Sequence, residues 1–245
     1  YIEKSELLLG ITPIRPAHEF EGEKTSADAN GKTFFPPQAY IAHRFNSRLV
    51  MGAGLYAPFG LGTDWDPSWT GRYTSTYGEV SAVFFNPTAT VQVTKWLSVG
   101  AGFSWVYSQA TIEKMLDSGL QMYALTKDPK TIANSVNDSK FALDGEGGGH
   151  NWDVGMLLKP SARFQLGLAY RSGTDVDYTG KVKFTHPSHL ASALSAAMPS
   201  SQDGETTLHL PASFNVGALY RFTEAWDASL DLNFVRWSTY DKLVI

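Results

Sequence analysis

At 245 residues and 43% apolar content, the chain can build the core of one large β domain or of two ordinary ones. A formal net charge of -4 lacks the basic excess of a nucleic-acid-binding surface, and the absence of cysteine excludes disulfide scaffolds, thiolate metal sites and cysteine nucleophiles. No apolar run approaches the ~18 residues of a membrane-spanning helix, a test that a transmembrane β-strand of about ten alternating residues escapes.

Residues 1–33 are weakly patterned, and period two then takes over. The first clear run sets Leu49, Met51, Ala53, Leu55, Ala57 and Phe59 on one side against Gly52 and Gly54 on the other. The same run ends in "YAPFGLGT" (56–63), where Pro58 has no amide to donate and Gly60 and Gly62 permit bends. Strand pairing is expected to fail there. The run at 96–112 sets Leu97, Val99, Phe103, Trp105 and Tyr107 against Ser98, Gly100, Gly102, Ser104 and Ser108. Later runs repeat the pattern at 151–158, 164–178, 214–221 and 226–234.

Very short polar segments near 45–48, 93–96, 159–162 and 221–226 join successive runs and predict hairpins. The opposite connections, roughly 14–33, 60–77, 112–149 and 179–207, are long. An antiparallel β-sheet of about nine strands is expected, with no composition shift marking a domain boundary. Two long connections carry helical spacing. Leu116, Leu120 and Tyr123, beside Met115 and Met122, predict a helix over 113–126; Leu190, Leu194 and Met198 predict another over 188–198. Their apolar faces either cap the end of the sheet or bind something.

Alternation alone is compatible with a soluble barrel greasy inside or a membrane barrel greasy outside. The polar face carries Gly, Ser, Asn, Asp175, Asp177, Asp227, Asp231, Arg171 and Arg221 rather than the Lys and Glu of a soluble exterior, and so reads as a wet lumen. Aromatics near strand ends (Trp65, Trp69, Tyr73 and Tyr77; Trp96; Trp226, Trp237 and Tyr240) would suit interface girdles. Glycine-rich 145–150 lacks the Lys-Ser/Thr of a phosphate loop and is read as a flexible loop. His186 and His189 flank Pro187 without a third ligand, and no G-x-S-x-G nucleophile elbow occurs. No catalytic constellation, metal site or cofactor site is read.

The order and spacing of 86–114, 150–184 and 208–243, with "YRS" at 170–172, "LP" at 210–211 and the "RWS" segment ending at Tyr240, resemble the FadL-type outer-membrane transporters of long-chain fatty acids and aromatic hydrocarbons. The resemblance implies an all-β, antiparallel transmembrane barrel of fourteen strands in Gram-negative outer membranes, an N-terminal hatch, and passive uptake of hydrophobic molecules. Cargo is implied to be caught in a groove between two outer loops and to leave sideways through a kinked third strand. The implied capture residues are Leu116, Leu120, Met122, Tyr123, Leu190, Leu194 and Met198, with Lys114 facing an acyl carboxylate; the implied gate is Pro58, Phe59, Gly60 and Gly62. The expected partners are a fatty acid, aromatic hydrocarbon or detergent and outer-membrane lipid, with no nucleic acid and a monomeric state. An open nine-stranded sheet would leave edge groups unsatisfied in lipid, so 1–245 is expected to be part of a larger barrel, without its hatch and last strands. The alternative is an outer-membrane barrel enzyme or adhesin whose long loops bear the activity.

Overall fold

The computed structural model describes residues 4–130, 138–188, 194 and 200–239. The strands are β1 Ser5–Ile11, β2 Glu19–Glu21, β3 Ser26–Asp28, β4 Pro37–Arg44, β5 Leu49–Asp64, β6 Tyr77–Gln92, β7 Leu97–Leu116, β8 Ser139–Leu158, β9 Phe164–Arg171, β10 Thr174–Thr185, β11 Ser201–Leu210, β12 Ser213–Arg221 and β13 Asp227–Val235; helix α1, Ser118–Thr126, lies between β7 and β8. β2 and β3 form a separate ribbon. The rest make one antiparallel sheet in the order β1-β4-β5-β6-β7-β8-β9-β12-β13, with β10 pairing β8 and β11. β10 thus prolongs β9 and β11 leads into β12, which leaves nine strand positions among the described residues and agrees with the sequence count.

Each short turn is stapled by one side-chain oxygen that accepts from the two backbone amides two and three residues on. Asn46 serves Arg48 and Leu49, Thr94 serves Trp96 and Leu97, Ser161 serves Arg163 and Phe164, and Thr223 serves Ala225 and Trp226. These local bonds fix the hairpin register without long-range help.

Small and polar residues face inward. Ser104 and Ser108 are fully buried, whereas Phe103 is 39% and Trp105 56% exposed on the outer face. Outward aromatics meet across strands, Phe85 stacking on Trp105 at 6.0 Å and Trp152 meeting Tyr170 at 5.3 Å. Exposed Trp96, Phe222 and Trp226 mark the short-turn end. Two expected girdle groups serve elsewhere. Trp65 stacks on Trp69 at 4.4 Å, Phe20 of β2 meets that ring edge-on, and the Trp69 indole donates to the Ser75 carbonyl, all within the loops. Trp237 turns its ring to Phe59, 6.1 Å away.

The strands climb further than expected. Parts of 112–149 and 179–207 assigned to loops belong to β7, β8, β10 and β11. At about 3.3 Å per residue, the 20-residue β7 is some 66 Å long, far more than a tilted crossing of about ten residues requires. Along this rise the outer face is polar and paired across strands: Tyr107 donates to Glu146, Thr111 to Asp144 and Thr207 to Asp177, and Lys140 bridges Glu113 at 2.8 Å. The inner face holds Ala82, Phe84, Val106, Ala110, Val176, Tyr178, Leu208 and Leu210 as an apolar cluster. The glycines expected to be a flexible loop instead lie within β8, paired to both β7 and β10. A Cβ on Gly147 or Gly149 would run into the carbonyl of Asp177 or Asp175, so the requirement is close backbone approach.

One extra residue near Ser172–Gly173 inverts the pattern. Asp153 faces Arg171 and, further along, Gly148 faces Asp177, a register displaced by one. Arg171 and Thr174 therefore both point inward, Val176 and Tyr178 follow, and Asp175 and Asp177 turn outward. These two carboxylates do not line the lumen as expected; Asp231 does.

Candidate ligand path

The outer-loop part of the path starts at α1. Asp117 caps it by accepting from the amides of Gly119 and Leu120, and Lys127 ends it in the left-handed conformation at φ 58°. The helix is shorter than 113–126. Lys114 and Leu116 belong to the end of β7, paired with Phe141 and Ser139, because the ladder to β8 runs on through them. Leu120 and Tyr123 are 55% and 38% exposed, and Met122 is half-buried. Leu194 lies in helical conformation and is fully buried, so it acts in packing rather than as an open surface; Leu190 and Met198 lie outside the described residues. The Lys114 ammonium sits 5.5 Å from the centre of the Phe141 ring, and Phe141 meets Phe184 edge-on at 5.7 Å.

Sequence reading missed the hub beneath α1. The buried Ser139 hydroxyl lies 2.9 Å from Ser118 Oγ, 3.3 Å from Gln121 Oε1 and 2.9 Å from His186 Nδ1. A serine against a histidine is the start of a hydrolase, but a nucleophile needs access to a carbonyl carbon, and Ser139 has no exposed surface. The arrangement pins α1 to the head of β8.

The second part lies in the wall. β5 pairs β4 only from Val50 to Tyr56, whose partner is Gln38, while on its other side it pairs β6 to Asp64 with a register shift between Tyr56 and Phe59. Beyond Tyr56, among the described residues, one edge of β5 therefore has no strand beside it. The extra residue at Ala57–Pro58 reverses the alternation. Leu55 points outward, whereas Phe59, expected on the same outward set, pairs with buried Ala82 and packs into the inner cluster. Gly60 and Gly62, opposite Ser81 and Glu79, take the outer face.

Residues 14–37 roof the open edge. The Asn30 amide donates to the Asp64 carbonyl, Ile14 and Phe34 exchange backbone hydrogen bonds, and the Phe34 ring covers Gly62 so closely that a Cβ there would strike it. Lys32 Nζ donates to Glu79 Oε2 and Tyr77 Oη, both at 2.5 Å, and the bond to Glu79, then that to Tyr77, hold its pKa above the usual lysine range. Under this roof is a mostly apolar cavity of about 320 Å³ between Ile14, Pro16 and residues 34–37 on one side and residues 57–60, Gly62 and residues 79–81, Glu79 and Ser81 included, on the other. Across Ala57 and Pro58, which both cavities share, lies one of about 440 Å³ lined by Gln38, Tyr40, Tyr56, Asn86 and Arg171. The run "FFPP" at 34–37 was the available signal for the roof, though no periodicity distinguishes it. A larger cavity of about 810 Å³ fills the short-turn end of the lumen, between small residues such as Ser98, Gly100 and Gly217 and the basic Arg44, Arg48, Lys95 and Lys159.

An antiparallel wall with apolar and aromatic residues outside, small and polar residues inside, and chambers on both sides of a broken strand defines an outer-membrane β-barrel. The particular family is that of the outer membrane protein transport proteins (OMPP1/FadL/TodX), whose model matches residues 1–245; the chain belongs to it. It is 25% identical over 253 residues to the long-chain fatty acid transport protein of Escherichia coli O6:H1, covering 96% of this chain and 57% of that protein. It is 26% identical over 248 residues to outer membrane protein P1 of Haemophilus influenzae, covering 95% and 52%. The chain thus spans about half the length of these relatives. Among solved structures, a Pseudomonas aeruginosa FadL homologue superposes with a TM-score of 0.76 at 17% identity, over 99% of this chain and 63% of that one; the Pseudomonas putida toluene transporter TodX gives 0.66 at 16%, over 99% and 64%. These likenesses establish the barrel fold.

Proposed function

We propose that this chain forms the wall of a monomeric outer-membrane channel for passive uptake of hydrophobic small molecules, long-chain fatty acids or monoaromatic hydrocarbons, and is a sector of a larger barrel with a hatch. Cargo is first held against α1 by Leu120, Met122 and Tyr123, near Lys114, then enters the lumen, and leaves sideways into lipid past Pro58, Phe59, Gly60 and Gly62. No bond is made or broken on this route, so the protein acts as a channel rather than an enzyme. The observation that carries the reading is that β5 loses its β4 neighbour at Tyr56 and bulges at Ala57–Pro58, where the two chambers meet. A lateral exit spares apolar cargo the aqueous side, at about 25 cal/mol for each Å² that stays out of water.

The test is uptake of radiolabelled oleate and of toluene by cells that lack their own transporter and express the full-length protein. Faster entry of either ligand is expected; entry no faster than in the empty strain refutes the channel. The Ser139–His186 contact is the one observation that favours a hydrolase, and ester hydrolysis by the wild type that Ser139→Ala abolishes would establish that second reading instead.

A further inference from the structure

Arg171 ends β9 at the level where β5 breaks, and Asp153 stands directly opposite it on β8. Side chains so placed are nearest neighbours across a sheet, and an arginine and an aspartate there would ordinarily bridge. They do not. Asp153 Oδ2 accepts instead from Asn86 Nδ2 at 2.7 Å, an amide that also lies 2.9 Å from Ser104 Oγ. Arg171 leans the other way, its Nη2 donating to Tyr56 Oη at 3.1 Å and its guanidinium carbon 5.2 Å from the Tyr56 ring centre and 5.9 Å from that of Phe84. Among the described residues no carboxylate bridges Arg171, and its Nε is buried without a hydrogen-bond partner.

A phenol and two ring faces orient the guanidinium without neutralising it. Arg171 is half-buried, and a partly desolvated charge that no carboxylate bridges is stabilised when an anion arrives. The chamber that Arg171 lines offers the neutral donors Gln38 and Asn86 beside it, while the chamber beyond Ala57 and Pro58 offers Phe34, Phe35, Pro36 and Pro37. One half is cationic and polar, the other is lined mostly by apolar residues with Glu79 and Ser81 among them, and the two share the lining residues Ala57 and Pro58.

We infer that Arg171 is a headgroup station at the wall gap, which holds the carboxylate of a single-chain amphiphile while its tail enters the apolar chamber. Arg171 thereby sets the specificity of the exit, since an aromatic hydrocarbon has no group to offer it. The inference rests on the channel reading above and narrows its cargo.

The experiment titrates dodecanoate and dodecanol, equal in chain length, into the full-length protein folded in detergent, in a Lys114→Met background that removes the cation beside Phe141 near α1. The background protein is expected to bind dodecanoate more tightly than dodecanol. Arg171→Gln should weaken dodecanoate by about tenfold or more, the worth of a charge-assisted hydrogen bond, and leave dodecanol within about twofold. Arg171→Lys should recover part of the preference, and thermal melts should confirm that all three proteins are folded. Equal weakening of both ligands by Arg171→Gln would mean that the arginine only packs and would overturn the inference. So would binding of both ligands by the background protein without preference, which leaves the channel standing. Binding of neither ligand by wild type and background alike would count against the channel reading itself, and the inference would fall with it.

Discussion

Tyr56 and Phe59 both reach the ring of Phe84, with centroids 5.9 and 6.0 Å away, although they are three residues apart on one strand. A regular strand would point them to opposite faces. The extra residue between them returns Phe59 to the lumen, where it also meets Trp237. Deleting both Ala57 and Pro58 would place Phe59 directly after Tyr56, swing it outward and Gly60 inward, and break its contacts with Phe84 and Trp237. The expected cost is about 1–3 kcal/mol, read from unfolding in detergent. A deletion variant as stable as wild type would mean that the bulge places nothing of consequence.

The outward face tests the membrane orientation. Phe103→Arg should cost about 2–4 kcal/mol in lipid vesicles, because it brings a cation into hydrocarbon near mid-strand. Ser104→Ala, one residue away and inward, removes one hydrogen bond to Asn86 and should cost about 1 kcal/mol. Reversal of that order would place lipid on the other face.

At the outer loops, Leu120→Asp combined with Tyr123→Ser changes two exposed side chains that the fold does not need. Loss of roughly 0.8 kcal/mol for each methylene no longer covered should weaken binding of a fluorescent fatty acid steeply, with the melting temperature unmoved. Leu194→Asp is a different experiment: that side chain is fully buried, and its replacement should lower stability.

Lys32 ties the roof to β6. Its pKa is raised by the bonds to Glu79 and Tyr77, so its contribution is complete at pH below the ordinary lysine value and is lost as pH climbs through the raised one. The roof should therefore stay closed through neutral and mildly alkaline solution and loosen only in strong alkali. Lys32→Met should open it at every pH, seen as faster amide hydrogen exchange at Asn30 and Phe34, whose backbone amides are bonded in the closed form. Unchanged exchange at both amides would mean that the tie does not hold the roof.

Strands, hairpins and the facing of the wall were legible because period two and turn chemistry act over a few residues. What escaped depends on a single residue of register. Asp175 and Asp177 have the spacing of lumen residues until the extra residue near Ser172–Gly173 reverses them, and Phe59 continues the outward set of Leu55 until Ala57–Pro58 does the same. Pro58 marked its break, but Ser172 and Gly173 look like many other strand residues. The roof over β5, the Ser139 hub and the Arg171–Tyr56 contact join residues far apart in sequence, the last pair by 115 positions, and no local pattern encodes such meetings. Glycines 147–149 were misread because the same residue serves both flexibility and close approach, and only the facing carbonyls decide which.

The most direct test of lateral passage is Gly60→Trp. A Cβ at Gly60 meets only the Val80 carbonyl, at 3.8 Å, so the backbone tolerates a side chain, and an indole there would occupy the apolar chamber rather than displace a neighbour. Oleate uptake by cells should be compared between this variant and wild type at equal amounts of folded protein in the outer membrane, with oleate binding to the purified proteins measured alongside. The account predicts that uptake is lost while binding at the outer loops persists. Uptake at the wild-type rate by a folded Gly60→Trp barrel would contradict it, and the cargo would then have to move down the lumen instead of through the wall.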